Sequence, residues 1–263
     1  MTADWRRLAG PLAARSRGRG PRLVFVHGFT QTGDSWLPVA THFSDHGFET
    51  VLVDLPGHGE SGTIRADLRR TADLVATTAG PGTYIGYSLG GRVCLHLAIM
   101  YPHVVERLVM IGATPGIIDD DERAARRAAD DRLAQHITTV GVEQFLDEWV
   151  DQPLFAGLHL DDDERADRCR NTAAGLAASL RLAGAGMQVS LWERLVELNM
   201  PVLAMAGELD DKFVPIAERI ASSAPLGAFA EILGAGHAAH LQQPMQVITR
   251  IESWLLGTKV PVL

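Results

Sequence analysis

Short apolar runs separated by stretches of helical spacing organise this chain. Leu23–Val26 is an apolar, β-rich run that stops at His27-Gly28, and Thr50–Val53 is another that stops at Asp54-Leu55-Pro56-Gly57. Between them, Trp36–Phe43 carries apolar residues at helical spacing, so the segment reads strand, helix, strand. Parallel neighbours need such a crossover. The alternation continues with Thr83–Tyr87, a helix over Leu89–Met100 stopped by Pro102, then Leu108–Ile111, and later Val202–Ala206 and Phe229–Ile232. The pattern predicts an α/β fold with a mostly parallel sheet covered by helices.

Residues 116–199 break the alternation, being dense in Ala, Arg and Asp at helical spacings with no convincing strand. The predicted division is a first core part at 1–115, a helical lid at 116–199 inserted after a central strand, and a second core part at 200–263. An insertion that leaves one strand and returns to the next projects from the edge where the strands' C-terminal ends lie, and is expected to cover a site there. Asp119-Asp120-Asp121 and Asp161-Asp162-Asp163 precede helical stretches and read as N-terminal caps, not metal ligands. The arginine-bearing start, Met1–Arg22, reads as a solvated leader.

Composition narrows the partners. With 46% hydrophobic and 21% charged residues, the 263-residue chain is a folded globule with enough apolar residues for a large core. Its 32 acidic against 24 basic residues give a net charge of -8, which supplies no general basic surface for nucleic acid. No apolar run is long enough for membrane insertion or an export signal, and the expected location is the cytoplasm. Cys94 and Cys169 lie far apart without metal-ligand spacing and read as unpaired thiols.

The sharpest chemical signal is Gly86-Tyr87-Ser88-Leu89-Gly90-Gly91, a G-x-S-x-G between a predicted strand and a predicted helix. The turn is so tight that flanking side chains would clash, and it leaves the Ser88 hydroxyl exposed above the sheet. A serine hydroxyl reacts at neutral pH only if an imidazole takes its proton and a carboxylate orients that imidazole. Asp210, in the loop after Val202–Ala206, is the expected acid, with Asp211 as the alternative. His237, in the glycine-rich Gly234-Ala235-Gly236-His237, is the expected base; nearby His240 reads as a packing or surface residue. Developing negative charge needs fixed donors, and the backbone N–H groups of Leu89 and Phe29 are the expected oxyanion hole. His27, Asp54 and His58 read as structural.

Taken in order, H-G-F, D-L-P-G-H-G, G-Y-S-L-G-G, the Asp loop and G-A-G-H resemble the α/β-hydrolase superfamily over nearly the whole chain. One fold and one triad serve esterases, lyases and receptors alike, so the resemblance leaves the reaction open. The lid narrows it. Arg92-Val93 after the elbow, Thr114-Pro115-Gly116-Ile117, Glu148-Trp149, Gln152-Pro153-Leu154-Phe155, Ser179-Leu180-Arg181, Gly186 and Gln188 together resemble the MenH-type synthases of menaquinone biosynthesis.

That resemblance implies a lyase that eliminates pyruvate from 2-succinyl-5-enolpyruvyl-6-hydroxy-3-cyclohexene-1-carboxylate to give 2-succinyl-6-hydroxy-2,4-cyclohexadiene-1-carboxylate. It also implies that Arg126 and Arg170 bind substrate carboxylates, with Trp149 lining the pocket. An acidic protein holds such a small-molecule polycarboxylate only by aiming particular guanidinium groups at it. Tyr87 is expected either to meet the substrate or to pack beneath the lid. Arg123, Arg127 and Arg168 read as solvated neighbours, and Arg92 has no assigned role. General-base chemistry needs no metal or organic cofactor, and none is expected. The competing readings are a carboxylesterase or C–C hydrolase with Ser88 as covalent nucleophile, and a non-catalytic ligand receptor on the same fold.

Overall fold

Strands buried on both faces carry apolar residues at nearly every position, and the central strands of this protein do so. The computed structural model describes residues 4–257, in which eight strands form one sheet. They are β1 (Arg6–Arg7), β2 (Ala14–Gly18), β3 (Arg22–Val26), β4 (Glu49–Val53), β5 (Gly82–Tyr87), β6 (Val105–Ile111), β7 (Val202–Gly207) and β8 (Gly227–Ile232). Their spatial order is β1-β2-β4-β3-β5-β6-β7-β8. Every pairing from β4 through β8 is parallel, and only β1 and β2 are antiparallel additions at one edge. All positions of β5 and β7 are buried. Their runs therefore read as continuous rather than alternating.

The helices are α1 (Leu37–Asp45), α2 (Leu68–Ala79), α3 (Leu89–Met100), α4 (Asp120–Val140), α5 (Val142–Val150), α6 (Asp162–Cys169), α7 (Ala173–Ala183), α8 (Phe213–Ser223), α9 (Ala239–Gln242) and α10 (Pro244–Leu255). The period-two alternation of strand side chains sorts the core into two layers. Val24, Val26, Val51, Val53, Leu108 and Met110 pack with residues of α2, α3 and α8. Leu23, Phe25, Leu52, Ile85, Val109 and Ile111 pack on the other face with Trp36, Phe43 and residues of α10. Burying a side chain such as Phe25 or Phe43 contributes roughly 1.5–3 kcal/mol each.

Residues 4–22 correct the expectation of a solvated leader. β2 pairs with β4 over Ala14–Gly18, Leu12 joins the core, and Ser16 is fully buried. The two arginines of β2 are consumed by ion pairs, Arg15 with Asp34 and Arg17 with Asp45, so their charge does not keep the strand in water. Met1–Ala3 lie outside the described residues.

Between β6 and β7 the chain runs through α4–α7 and short 3-10 turns with no strand among the described residues. These helices have a small core of their own, in which Phe145 packs with Ala134, Ile137, Leu176, Ala177 and Leu180. Asp119 caps α4 by accepting the Glu122 N–H at 2.8 Å, and Asp161 forms a reciprocal capping box with Glu164 on α6. Each cap is worth about 1 kcal/mol. The acidic triplets are thus explained as helix starts. No described helix is long and apolar enough to cross a membrane.

Candidate active site

The loops that matter leave the C-terminal ends of consecutive parallel strands: Phe29 after β3, Ser88 after β5, Gly112 after β6, Asp210 after β7 and His237 after β8. Parallel crossovers place all these ends on one edge of the sheet.

Ser88 sits at φ 50° and ψ -108°, a conformation that a side-chain-bearing residue adopts only when its surroundings impose it. Close backbone approach imposes it here. A Cβ on Gly86 would lie 2.5 Å from the Gly90 backbone, and one on Gly90 would lie 2.1 Å from the Val26 carbonyl oxygen. The Ser88 N–H is held by the Ile111 carbonyl at 2.9 Å. α3 begins at Leu89, so the first N–H groups of that helix lack intrahelical acceptors beside the serine.

His237 and Asp210 are both buried, and His237 Nδ1 meets Asp210 Oδ2 at 2.6 Å. Asp210 Oδ1 also accepts the Phe213 N–H at 3.3 Å, which anchors the carboxylate to the start of α8. Asp211 is exposed and makes no such contact, so of the two candidate acids it is Asp210 that meets the imidazole. The His237 ring is walled by Phe213, Tyr87 and Phe155, with centroids at 4.6, 5.3 and 5.8 Å. Gln242 accepts the Gly236 N–H at 2.8 Å and donates to the Ala156 carbonyl at 3.3 Å, tying the histidine loop to the helical segment.

Ser88 and His237 open onto a cavity of about 930 Å³, whose lining also includes Phe29, Leu89, Trp149 and Arg126. Of the nine residues expected at the site, Tyr87 and Arg170 do not line it and Asp210 stands behind His237. Tyr87 is buried with its ring on His237 and His240, because its strand position points it under the histidine loop. Burial pushes its phenol well above the usual range.

Arg170 is turned outward, within 3.4 Å of both Asp34 and Asp167. Arg168, expected in solvent, is the buried one: it donates to Thr30 Oγ1 at 3.0 Å. Asn171 donates to the Thr30 carbonyl at 2.8 Å, so the end of α6 clamps the loop that carries Phe29. Thr30 is itself left-handed, at φ 69°.

Arg92, to which the sequence pattern assigns no role, faces the cavity from α3, donating to the Ala183 carbonyl at 2.9 Å. Its spacing is the overlooked signal, since a residue four beyond the serine lies near the same side of the helix. Burial, reinforced by the charge of Arg126, lowers its pKa to about 10. Arg126 donates from Nε to Asp130 Oδ1 at 2.7 Å, and Asp130 is buried. Trp149 stacks on Phe145 and meets Phe29 edge-on, which builds an aromatic wall beside the cations.

His27, His58 and His240 are buried and do not line the cavity. His27 receives the Leu55 N–H at 3.0 Å, His58 lies edge-on to it, and His240 lies against Trp36 and Tyr87. Asp54 accepts the N–H groups of Gly33 and Glu60, each at 2.8 Å, as a turn-former does.

The model of a family described as the alpha/beta hydrolase family matches residues 23–250. A Salmonella typhimurium protein named 2-succinyl-6-hydroxy-2,4-cyclohexadiene-1-carboxylate synthase is 34% identical over 238 residues, 87% of this chain and 91% of its own. A Bacillus subtilis protein is 35% identical over 236 residues, 84% of this chain and 85% of its own. The structure of MenH from S. aureus superposes with a TM-score of 0.84 at 29% identity, covering 93% of this chain and 98% of that one. A thermophilic esterase from Thermogutta terrifontis gives 0.80 at 23% identity over 97% and 99%, a likeness of fold alone.

Proposed function

This chain belongs to the alpha/beta hydrolase family, and within it we propose that it is a lyase, a 2-succinyl-6-hydroxy-2,4-cyclohexadiene-1-carboxylate synthase of menaquinone biosynthesis. The observation that carries the reading is one cavity that joins Ser88 and His237 to the guanidinium groups of Arg92 and Arg126. Ester hydrolysis has no need of a cationic wall, whereas a substrate with several carboxylates does.

In the proposed reaction Asp210 holds His237 in the tautomer that presents Nε2 to Ser88, and His237 draws the hydroxyl proton. The serine oxygen removes the ring proton beside the succinyl ketone. The electron pair left behind forms a ring double bond, the existing double bond moves over by one position, and the bond from ring carbon to the enolpyruvyl oxygen breaks. The departing enolpyruvate takes up a proton at carbon to become pyruvate, so no water is consumed. Negative charge spreads onto the ketone oxygen during this step, and the N–H groups of Leu89 and Phe29 are the assigned donors. Arg92 and Arg126 bind substrate carboxylates, and Trp149 packs on the ring. The substrate is a small polycarboxylate, and the proposed location is the cytoplasm, where the free thiols of Cys94 and Cys169 persist.

The test is to add the protein to freshly prepared 2-succinyl-5-enolpyruvyl-6-hydroxy-3-cyclohexene-1-carboxylate and follow pyruvate together with diene absorbance. Both are expected to appear in step, and Ser88→Ala is expected to abolish them. Turnover no faster than spontaneous decay overturns the lyase reading and directs the search to esters and diketones.

A further inference from the structure

Two cavity cations have no part in the reaction as proposed. Lys212 and Arg219 line the same cavity from α8, Lys212 as the residue that precedes its first turn. Seven residues return a helix to nearly the same face, and the rise places these two about 10 Å apart. Phe213 and Ile216 lie between them and also line the cavity, so the cavity side of α8 reads cation, apolar strip, cation.

The partners of these cations set them apart. Arg123, Arg126, Arg165 and Arg181 in the helical segment are each paired with an aspartate. Neither Lys212 nor Arg219 has a carboxylate within 4.0 Å among the described residues, although this is a chain of net charge -8. What Arg219 has is a platform: its guanidinium carbon lies 4.0 Å from the centroid of the Trp192 ring. Trp192 is fixed in turn by donating its Nε1–H to the Gly116 carbonyl at 3.1 Å, and the neighbouring Leu191 N–H holds the Pro115 carbonyl at 2.8 Å. The platform is thus the seam where the helical segment leaves and rejoins the sheet. Stacking uses the face of a guanidinium and leaves its edge, with the N–H donors, free for a planar anion. Lys212 lies over Phe213, the ring that also backs His237. Of the acids in the same lining, Asp119 is occupied in capping α4, and Glu122 follows it in the first turn of that helix.

We propose that Arg219, seated on Trp192, forms with Lys212 an outer carboxylate subsite, which takes a carboxylate carried on a flexible apolar arm lying along Phe213 and Ile216. Naming that arm as the succinyl chain rests on the lyase reading; the subsite itself does not. A substrate is then held between Arg92 and Arg126 at one place and the outer pair at another, which selects for acids with two well-separated carboxylates.

The test uses 2-succinylbenzoate, a stable aromatic compound with the same arm, and its derivative in which the arm acid is an amide. Calorimetry with the full chain is expected to show the acid binding about tenfold more tightly than the amide, the scale of one charge-assisted contact at a partly wet site. Arg219→Gln is expected to bring that ratio to about two or less, with Arg219→Lys between the two. Lys212→Gln is the second variant, expected to lower the ratio about threefold through the charge alone. Acid and amide binding alike to the unaltered protein, or a tenfold preference that survives Arg219→Gln, overturns the subsite. Turnover of the cyclohexene precursor is measured separately. Absent turnover with an intact acid preference sinks the lyase reading and supports the subsite for another dicarboxylate, whereas turnover without the preference sinks the subsite alone.

Discussion

Ser88 and Arg126 face the same cavity from different parts of the chain, and they are held there by different means. Ser88 is fixed by main chain: a strained φ of 50°, glycines at 86 and 90 that admit no Cβ, and a bond from its N–H to Ile111. Arg126 is fixed by side chain, through one ion pair to Asp130 on the same helix. The sheet side of the site is therefore a backbone construction that tolerates almost no change in residue type at its turns. The helical side is a set of long side chains whose aim depends on what each happens to meet. A backbone construction leaves a motif in the sequence, and a side-chain construction does not.

The largest expected effect tests the sheet side. Asp210→Asn leaves the shape of the site intact but removes the acceptor that fixes the imidazole tautomer, and pyruvate release is expected to fall by about 10³–10⁴-fold. Asp211→Asn, at an exposed position, is expected to stay within about twofold. A collapse confined to Asp211→Asn would mean that the observed pair is not the working one.

Next in size is the response to acid. Burial lowers the pKa of His27 to about 4 and that of His58 to about 3, so both are neutral in the folded protein at pH 7. An unfolded histidine titrates near 6.5, so on acidification the unfolded chain binds protons first. Their contribution is fully present above pH 6.5 and is lost as the pH falls from there, towards 4 for His27 and towards 3 for His58. The linked loss is on the order of 3 kcal/mol for each buried ring. Urea unfolding at pH 7.5, 5.5 and 4.5 measures it, and a His58→Phe chain is expected to show a flatter decline. A decline of unchanged steepness in that variant would place the acid sensitivity elsewhere.

How much of this was legible follows the same division. The six core strands were visible as apolar runs because parallel strands are buried on both faces, and Ser88, Asp210 and His237 were visible because each follows such a run in a glycine-marked loop. The strand Ala14–Gly18 was not visible: ARSRG looks solvated until Arg15 and Arg17 are seen to be paired with Asp34 and Asp45. In the helical segment the pattern gave helices and caps but not the aim of the arginines. The burial of Arg92 and Arg168 leaves no sequence signal because it depends on carbonyls and hydroxyls contributed by distant segments, here Ala183 and Thr30.

A smaller effect probes the helical side. Asp130 is buried, and its two oxygens accept from Arg126 Nε at 2.7 Å and from the Gly186 N–H at 3.2 Å. Asn at that position keeps one acceptor and loses the charge, so Arg126 is freed to rotate. The expected result is a KM raised about tenfold with kcat changed less, and a stability loss of about 1–3 kcal/mol from the unmade bond. The sign of the KM change is informative, because removing a carboxylate also makes the cavity more positive. A lowered KM would mean that net charge, not fixed aim, is what the helical side supplies.

The smallest expected effect is at Arg170. Family resemblance points to Arg170, just before Asn171, as a carboxylate-binding arginine, and Arg168 is its neighbour at the end of α6. Two residues apart on a helix means roughly 200° around its axis, so only one of them turns inward. The inward one is Arg168, which is buried and bonded to Thr30, while Arg170 faces Asp34 and Asp167 at the surface. Exposed pairs of this kind contribute little to stability and are screened by salt. Arg170→Gln is therefore expected to leave KM and kcat within about twofold of the unaltered protein. Arg168→Gln is expected to lower kcat by about tenfold or more, because it loosens the loop that carries the Phe29 N–H, where a small misplacement of a donor is costly. Steady-state kinetics on the two variants decides between them, and the reverse ranking would show that the outward arginine reaches the substrate when the cavity is filled.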